Sequence, residues 1–193
     1  LQALQDRRMN PQARLIPVLV IGSIPAGVVG ILFEETIEAV FHNPLSVIAP
    51  LAIVGVALWR IDKRCRGEKQ MGQLTYGNAF IVGIAQACAL IPGVSRSGST
   101  IIGARLLGLS RYEATRFSFL LGTPAFMGAA LLKADEILGA AAEPSFQAGF
   151  VTALLVGCFA IGFLLRFVRR FGFGAFAAYR CVFAAFIAYL VLA

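Results

Sequence analysis

The chain has 193 residues, of which 59% are hydrophobic and only 14% charged, with 17 Lys and Arg against 10 Asp and Glu; its mean hydropathy is +0.80. An ordinary soluble domain is about 45–50% apolar and about 25% charged, so this composition excludes a soluble enzyme, and an apolar content this high excludes a disordered chain. The net charge of +7 comes from basic residues that fall between apolar runs and form no face, which predicts orientation in a membrane and no nucleic-acid partner.

Long unbroken apolar runs, such as Leu15 to Phe33 and Ala148 to Leu165, lack the alternating polarity of a β-barrel and predict an all-α integral membrane protein of one domain over 1–193. The chain opens with LQALQDRRMNPQAR, a polar flank over 1–14 without an initiator Met or the apolar core of a signal peptide, so a missing N-terminal portion is expected. A helix crossing about 30 Å of hydrocarbon needs about 20 apolar residues. Five spans satisfy that requirement: Leu15 to Phe33, Pro44 to Ile61, Phe117 to Lys133, Ala148 to Phe167 and Phe173 to Ala193.

Basic residues mark cytoplasmic ends. Arg7, Arg8 and Arg14 precede the first span, Arg60 to Lys69 follow the second, Arg105, Arg111 and Arg116 precede the third, and Arg166, Arg169 and Arg170 follow the fourth. Glu34, Glu35 and Glu38, and later Asp135, Glu136 and Glu143, mark outward loops. Glu34 and Glu38 stand one helical turn apart and read as a solvated helix end, with His42 as a loop residue. Cys65, Cys88, Cys158 and Cys181 show no metal-ligand spacing and read as packing residues with no disulfide framework.

The apolar region Tyr76 to Leu109 is too long for one span and lies between two basic, cytoplasmic loops, so it must enter and leave on one side. A re-entrant hairpin does so: one half-helix to about Leu90, a polar turn, and a second half-helix from about Ser99. Half-helices of about 15 residues reach only about 22 Å, which puts the turn inside the bilayer. Irregular backbone at that depth is tolerated only where protein or a water-filled cavity surrounds it, so the turn is the candidate site.

From Pro92 to Thr100 the turn carries one cation, four hydroxyls and two glycines. Gly93 and Gly98 let backbone approach an anion, Ser95, Ser97, Ser99 and Thr100 donate hydrogen bonds at a helix start, and Arg96 offers a forked charge that grips phosphate oxygens in pairs. The alternative is a Pro-Gly helix break with Arg96 paired structurally, against which stands the cost of an intramembrane Arg. Ser99 stands where a P-loop needs Lys, and Ser97 stands where a nucleophile elbow needs Gly; both motifs are rejected.

The stretch Gln86-Ala87-Cys88-Ala89-Leu90-Ile91-Pro92-Gly93-Val94-Ser95-Arg96-Ser97-Gly98-Ser99-Thr100 closely resembles the P-G-x-S-R-S-x-x-T signature of the bacterial undecaprenyl-diphosphate phosphatases, the bacitracin-resistance family. Leu109 to Ala114, Phe117 to Leu121, Pro124 and Tyr179-Arg180 extend the resemblance over nearly the whole chain. It implies an inverted-repeat fold, of which this chain holds the second half, and hydrolysis of undecaprenyl diphosphate to undecaprenyl phosphate and inorganic phosphate. That reaction recycles the lipid carrier for peptidoglycan synthesis and confers bacitracin resistance. The implied setting is the bacterial inner membrane, with the site opening to the outer face.

By the same resemblance Arg96, Ser95, Ser97 and Thr100 are the catalytic candidates, with Gly93, Gly98, Ser99 and Gln86 binding substrate. Arg96 would clamp the diphosphate, and the hydroxyls would act either as a nucleophile or as donors while water attacks. Gln86 is neutral and cannot be a general base. A divalent cation, Mg or Ca, is implied, with no ligand set in this chain; the family's acidic pair and His would lie upstream. Arg180 would contact either phosphate or backbone. The rival reading is a transporter or flippase of an anionic lipid, since broken helices also bind anions in transporters.

Overall fold

The computed structural model describes residues 11–40 and 45–192, and among these the architecture is all helical apart from one isolated bridge. Helices α1 (Pro11–Val40) and α2 (Leu45–Arg64) are followed by a 3-10 turn at Met71–Gln73 and two short helices, α3 (Tyr76–Ala87) and α4 (Arg96–Leu106). Then come α5 (Arg111–Leu132), a short α6 (Ala134–Ala140), α7 (Pro144–Phe171) and α8 (Gly174–Leu192). Residues 1–10 of the polar flank and His42 lie outside the described residues; Glu34 and Glu38 fall in the last turns of α1.

Among the described residues five helices are long and apolar enough to cross a membrane: Leu15–Phe33, Leu45–Arg64, Arg111–Leu132, Pro144–Phe171 and Gly174–Val191. They coincide with the expected spans, and the differences lie at the ends. The third begins at Arg111 rather than Phe117, because the Ser110 hydroxyl accepts the N–H of Glu113 at 3.2 Å and caps the helix six residues early. The fourth begins at Pro144, which sits at the first helical position, where its missing N–H costs nothing. The short α6 in the outward loop has no counterpart in the sequence reading.

Between the second and third spans, α3 and α4 pack against each other as a helix–turn–helix closed at its base. Lys69 N–H donates to Gly108 C=O (3.0 Å) and Ser110 N–H donates to Lys69 C=O (3.1 Å), so the chain enters and leaves this unit at one place. Thr75 starts α3 with a capping box shared with Asn78. Gly108, at φ 91°, ends α4 in a Schellman arrangement, with Leu109 N–H bonded to Ala104 C=O at 3.1 Å and Gly108 N–H to Arg105 C=O at 3.0 Å.

The paired short helices form the centre of the molecule: α3 rests on α1, and α4 on α2 and α5. Gly83 lies so close to the Gly22 carbonyl and the Pro25 ring that a side chain there would collide with both. Ala79, Val82, Ala104, Ala114, Phe117 and Leu121 are fully buried where these helices meet. In contrast, the apolar window of α7 buries none of its residues, as suits a helix apolar all round with hydrocarbon about it. All four cysteines are free, and Cys88 and Cys158 are exposed, so these two are surface residues and not the packing residues expected.

The ends that carry basic residues also meet. Asp62, at the end of α2, accepts from Arg111 Nε at 2.6 Å and from the backbone N–H of Phe173 at 3.2 Å, and it lies 3.8 Å from Arg105 Nη2. Arg105 also donates to the carbonyls of Cys65 and Leu109. This buried knot ties the ends of α2 and α4 to the start of α5 and the α7–α8 junction. It gathers on one side three of the ends that the charge pattern assigns to the cytoplasm, those of the second, third and fourth spans.

Candidate functional site

A 3-10 turn over Cys88–Leu90 ends the first short helix, and Pro92-Gly93 turns the chain. Gly93 has φ 86°, and a side chain there would collide with the backbone of Val47 on α2, so both conformation and space require glycine. Ser95 then caps α4: its hydroxyl accepts the Gly98 N–H at 3.2 Å, and its carbonyl accepts the Ser99 N–H at 2.9 Å. The capping interaction starts the second half-helix at Arg96, three residues before the expected Ser99. Four N–H groups open a helix without internal partners. Here the Gly98 N–H is satisfied by the Ser95 hydroxyl, and those of Arg96 and Ser97 have no partner among the described residues.

The eight candidate residues divide by where their polar atoms go. Thr100 is 1% exposed, and its hydroxyl lies 2.9 Å from Arg96 C=O and 2.6 Å from the buried Ser118 hydroxyl. Ser99 donates to Ser95 C=O at 3.1 Å, a bond within its own helix. Gly98 is packed against Val54 of α2. Gln86 is also buried, and its Oε1 has no hydrogen-bond donor. In contrast, Ser95 and Ser97 hold their hydroxyls 3.3 Å apart at the mouth of a cavity of about 180 Å³.

The Arg96 guanidinium has no hydrogen-bond or ion-pair partner among the described residues. It lies over the Phe126 ring, 4.5 Å from the centroid, and against Gly122, where a Cβ would collide with it. Thr115, Phe119, Gly122 and Phe126 recur at helical spacing and form one face of α5. Thr115 and Phe119 wall the cavity, and Gly122 and Phe126 carry the Arg96 head group along the same face. A free guanidinium, two hydroxyls and two open N–H groups at a helix start form an anion site suited to phosphate oxygens.

Arg180 of α8 comes to the same place. It donates to the Gly93 carbonyl through Nη2 at 3.1 Å and to the Leu51 carbonyl through Nε at 3.4 Å, and it borders the cavity with Ser95 and Ser97. Of the two roles expected for Arg180, the structure shows backbone pairing. The partners Ser118 and Gly122 escaped sequence reasoning; the only signal for them is the shared face of α5 opposite the hydroxyl turn.

The arrangement binds an anion and stabilises charge that grows on it. Among the described residues no carboxylate or imidazole borders the cavity. Among the described residues no group of three or more His, Cys, Asp or Glu comes together, so the implied divalent cation finds no ligand set among them.

The family model described as bacitracin resistance protein BacA matches residues 1–186. The chain is similar to three proteins named undecaprenyl-diphosphatase. That of Moorella thermoacetica is 42% identical over 178 residues, covering 92% of this chain and 68% of the relative. That of Elusimicrobium minutum is 44% identical over 169 residues, covering 88% and 65%. That of Pelotomaculum thermopropionicum is 40% identical over 187 residues, covering 97% and 70%. The chain therefore spans about two thirds of the length of these relatives, and it belongs to the BacA family of bacitracin resistance proteins.

Proposed function

We propose that this chain hydrolyses undecaprenyl diphosphate to undecaprenyl phosphate and inorganic phosphate, with the diphosphate held on the turn at residues 92–97. The observation that carries the reading is the unpartnered Arg96 guanidinium beside the Ser95 and Ser97 hydroxyls and the open N–H groups of Arg96 and Ser97. The reaction is the one named in the relatives. Water adds at the terminal phosphorus and the lipid monophosphate leaves. Arg96 and the hydroxyls hold the phosphoryl oxygens and offset the charge shifting onto the leaving group. Gly93 supplies the close turn, while Ser99, Thr100 and Gly98 hold the start of α4 in shape.

The short helices form a re-entrant hairpin in this reading. Their lengths of 12 and 11 residues rise about 18 and 16 Å at 1.5 Å per residue, roughly half of the hydrocarbon core. With the base at the cytoplasmic side, the turn lies near mid-membrane and opens outward, where the lipid carrier of the inner membrane returns after cell-wall polymerisation. Resistance to bacitracin follows from removing the diphosphate form.

The experiment is phosphate release from undecaprenyl diphosphate by the purified protein in vesicles, with lipid movement across the bilayer followed in parallel. Phosphate release without movement supports the phosphatase. Movement without release replaces it with the transporter.

A further inference from the structure

The cavity behind Ser95 and Ser97 has two unlike linings. Its polar lining includes the two hydroxyls and Arg180; its apolar lining includes Leu58 of α2, Ile101 of α4, Phe119 of α5 and Leu164 and Val168 of α7. A polar rim grading into an apolar pocket is the shape required by an amphiphile whose anionic head is joined to a hydrocarbon chain. The cavity descends beside α4 toward the base of the hairpin. It reaches the crevice between α7 and α8, where the Phe167 and Phe176 rings meet edge to face with centroids 5.7 Å apart.

The volume limits what can enter. About 180 Å³ is below the roughly 300–1,000 Å³ of pockets that enclose a drug-sized ligand, so only a short piece of a polyprenyl chain fits. A lipid tail gains no hydrophobic free energy on leaving a bilayer for an apolar groove, because hydrocarbon is as apolar as Leu. What the pocket can add is shape and alignment, fixing the diphosphate against the hydroxyls at a reactive distance.

We infer that this cavity is a subsite for the head-proximal isoprene units of the substrate, that Leu164 and Phe119 set its depth, and that the remainder of the chain stays in the lipid. The inference rests on the phosphatase reading for the identity of the head group. It assigns α7 a role in positioning substrate, although α7 contributes nothing to the phosphate turn.

Two prenyl diphosphate probes test this by photo-crosslinking, one with a diazirine on the first isoprene unit and one with it on the last unit of a long chain. The first probe is expected to label α7 and α5 around Leu164 and Phe119, and excess geranyl diphosphate to suppress that labelling. The distal probe is expected to label bilayer lipid. Labelling of other helices by the first probe, or equal labelling of α7 by both, overturns the subsite.

Turnover supplies a second reading. Leu164→Trp, at a half-buried position, should lower kcat on geranyl and undecaprenyl diphosphates about tenfold or more and leave methyl diphosphate, which carries no isoprene unit, within about twofold. An equal loss on all three contradicts the inference. Crosslinking at Leu164 without phosphate release from any diphosphate retains the subsite and removes the phosphatase; release with crosslinking elsewhere does the reverse.

Discussion

Arg180 of the last helix donates a hydrogen bond to the carbonyl of Gly93, at 3.1 Å, and so fastens α8 to the apex of the turn that bears Arg96. The same side chain bonds Leu51 C=O on α2, bracing three elements around one carbonyl pair. Hydrogen bonds to a charged group are worth about 1.5–3 kcal/mol, or roughly ten- to a hundredfold in rate if the geometry they hold is reactive. Arg180→Leu should therefore lower kcat by that factor with little change in KM, and Arg180→Lys should restore part of it. A rise in KM alone would mean that Arg180 serves only to bind.

Gly122 sets the position of Arg96. A Cβ at that position meets the guanidinium, which is the movable end of a flexible side chain, so the fold adapts while the charge is displaced. Gly122→Ala should leave thermal stability within about 0.5 kcal/mol, as at an ordinary tolerant position, and reduce phosphate release at least tenfold. Unimpaired release by a folded variant would show that the observed position of Arg96 is irrelevant to turnover.

The hydroxyls of the turn should separate by function. Thr100→Val removes a buried bond to Ser118 and leaves that group unpaired, a loss of about 1–3 kcal/mol in stability that denaturation in detergent would register. Ser97→Ala, at an exposed position, should spare stability and lower turnover. The opposite pattern, with Thr100→Val stable and inactive, would return Thr100 to the reacting groups.

Asp62 holds two arginines and a backbone N–H. Removing Asp62 leaves the buried Arg105 without its counter-charge, which commonly costs about 3–5 kcal/mol, while the Arg111 side chain, 37% exposed, turns to water and adds little. Asp62→Ala should lose that much stability, and exchange of the amides around Gly108 and Phe173 should accelerate together. A variant as stable as the parent would show that Arg105 and Arg111 need no common anion.

The spans were readable because about 20 apolar residues per crossing is a requirement of the bilayer, and the break between two short helices because Pro92-Gly93 interrupts the overlong apolar region Tyr76 to Leu109. The turn declared itself through composition: Arg96 amid hydroxyls and glycines in an apolar chain has few structural explanations. What sequence left hidden depends on contacts between distant segments. Arg105 and Arg111 read as loop charges marking the cytoplasm, yet they are drawn into a buried knot by Asp62, more than forty residues upstream. Thr100 and Ser97 look alike in the motif, and only the approach of Ser118 from α5 distinguishes the committed hydroxyl from the open one. The early start of α5 was written in Ser110, whose hydroxyl caps the helix by accepting the Glu113 N–H.

The most direct measurement is phosphate release from undecaprenyl diphosphate by Arg96→Ala beside the parent chain, with circular dichroism and membrane insertion checked on both. Loss of a preorganised donor to developing charge costs about 10²- to 10³-fold. A loss of that size in a folded, inserted variant is the result expected. Equal release by the variant and its parent would contradict the assignment of the diphosphate to this turn.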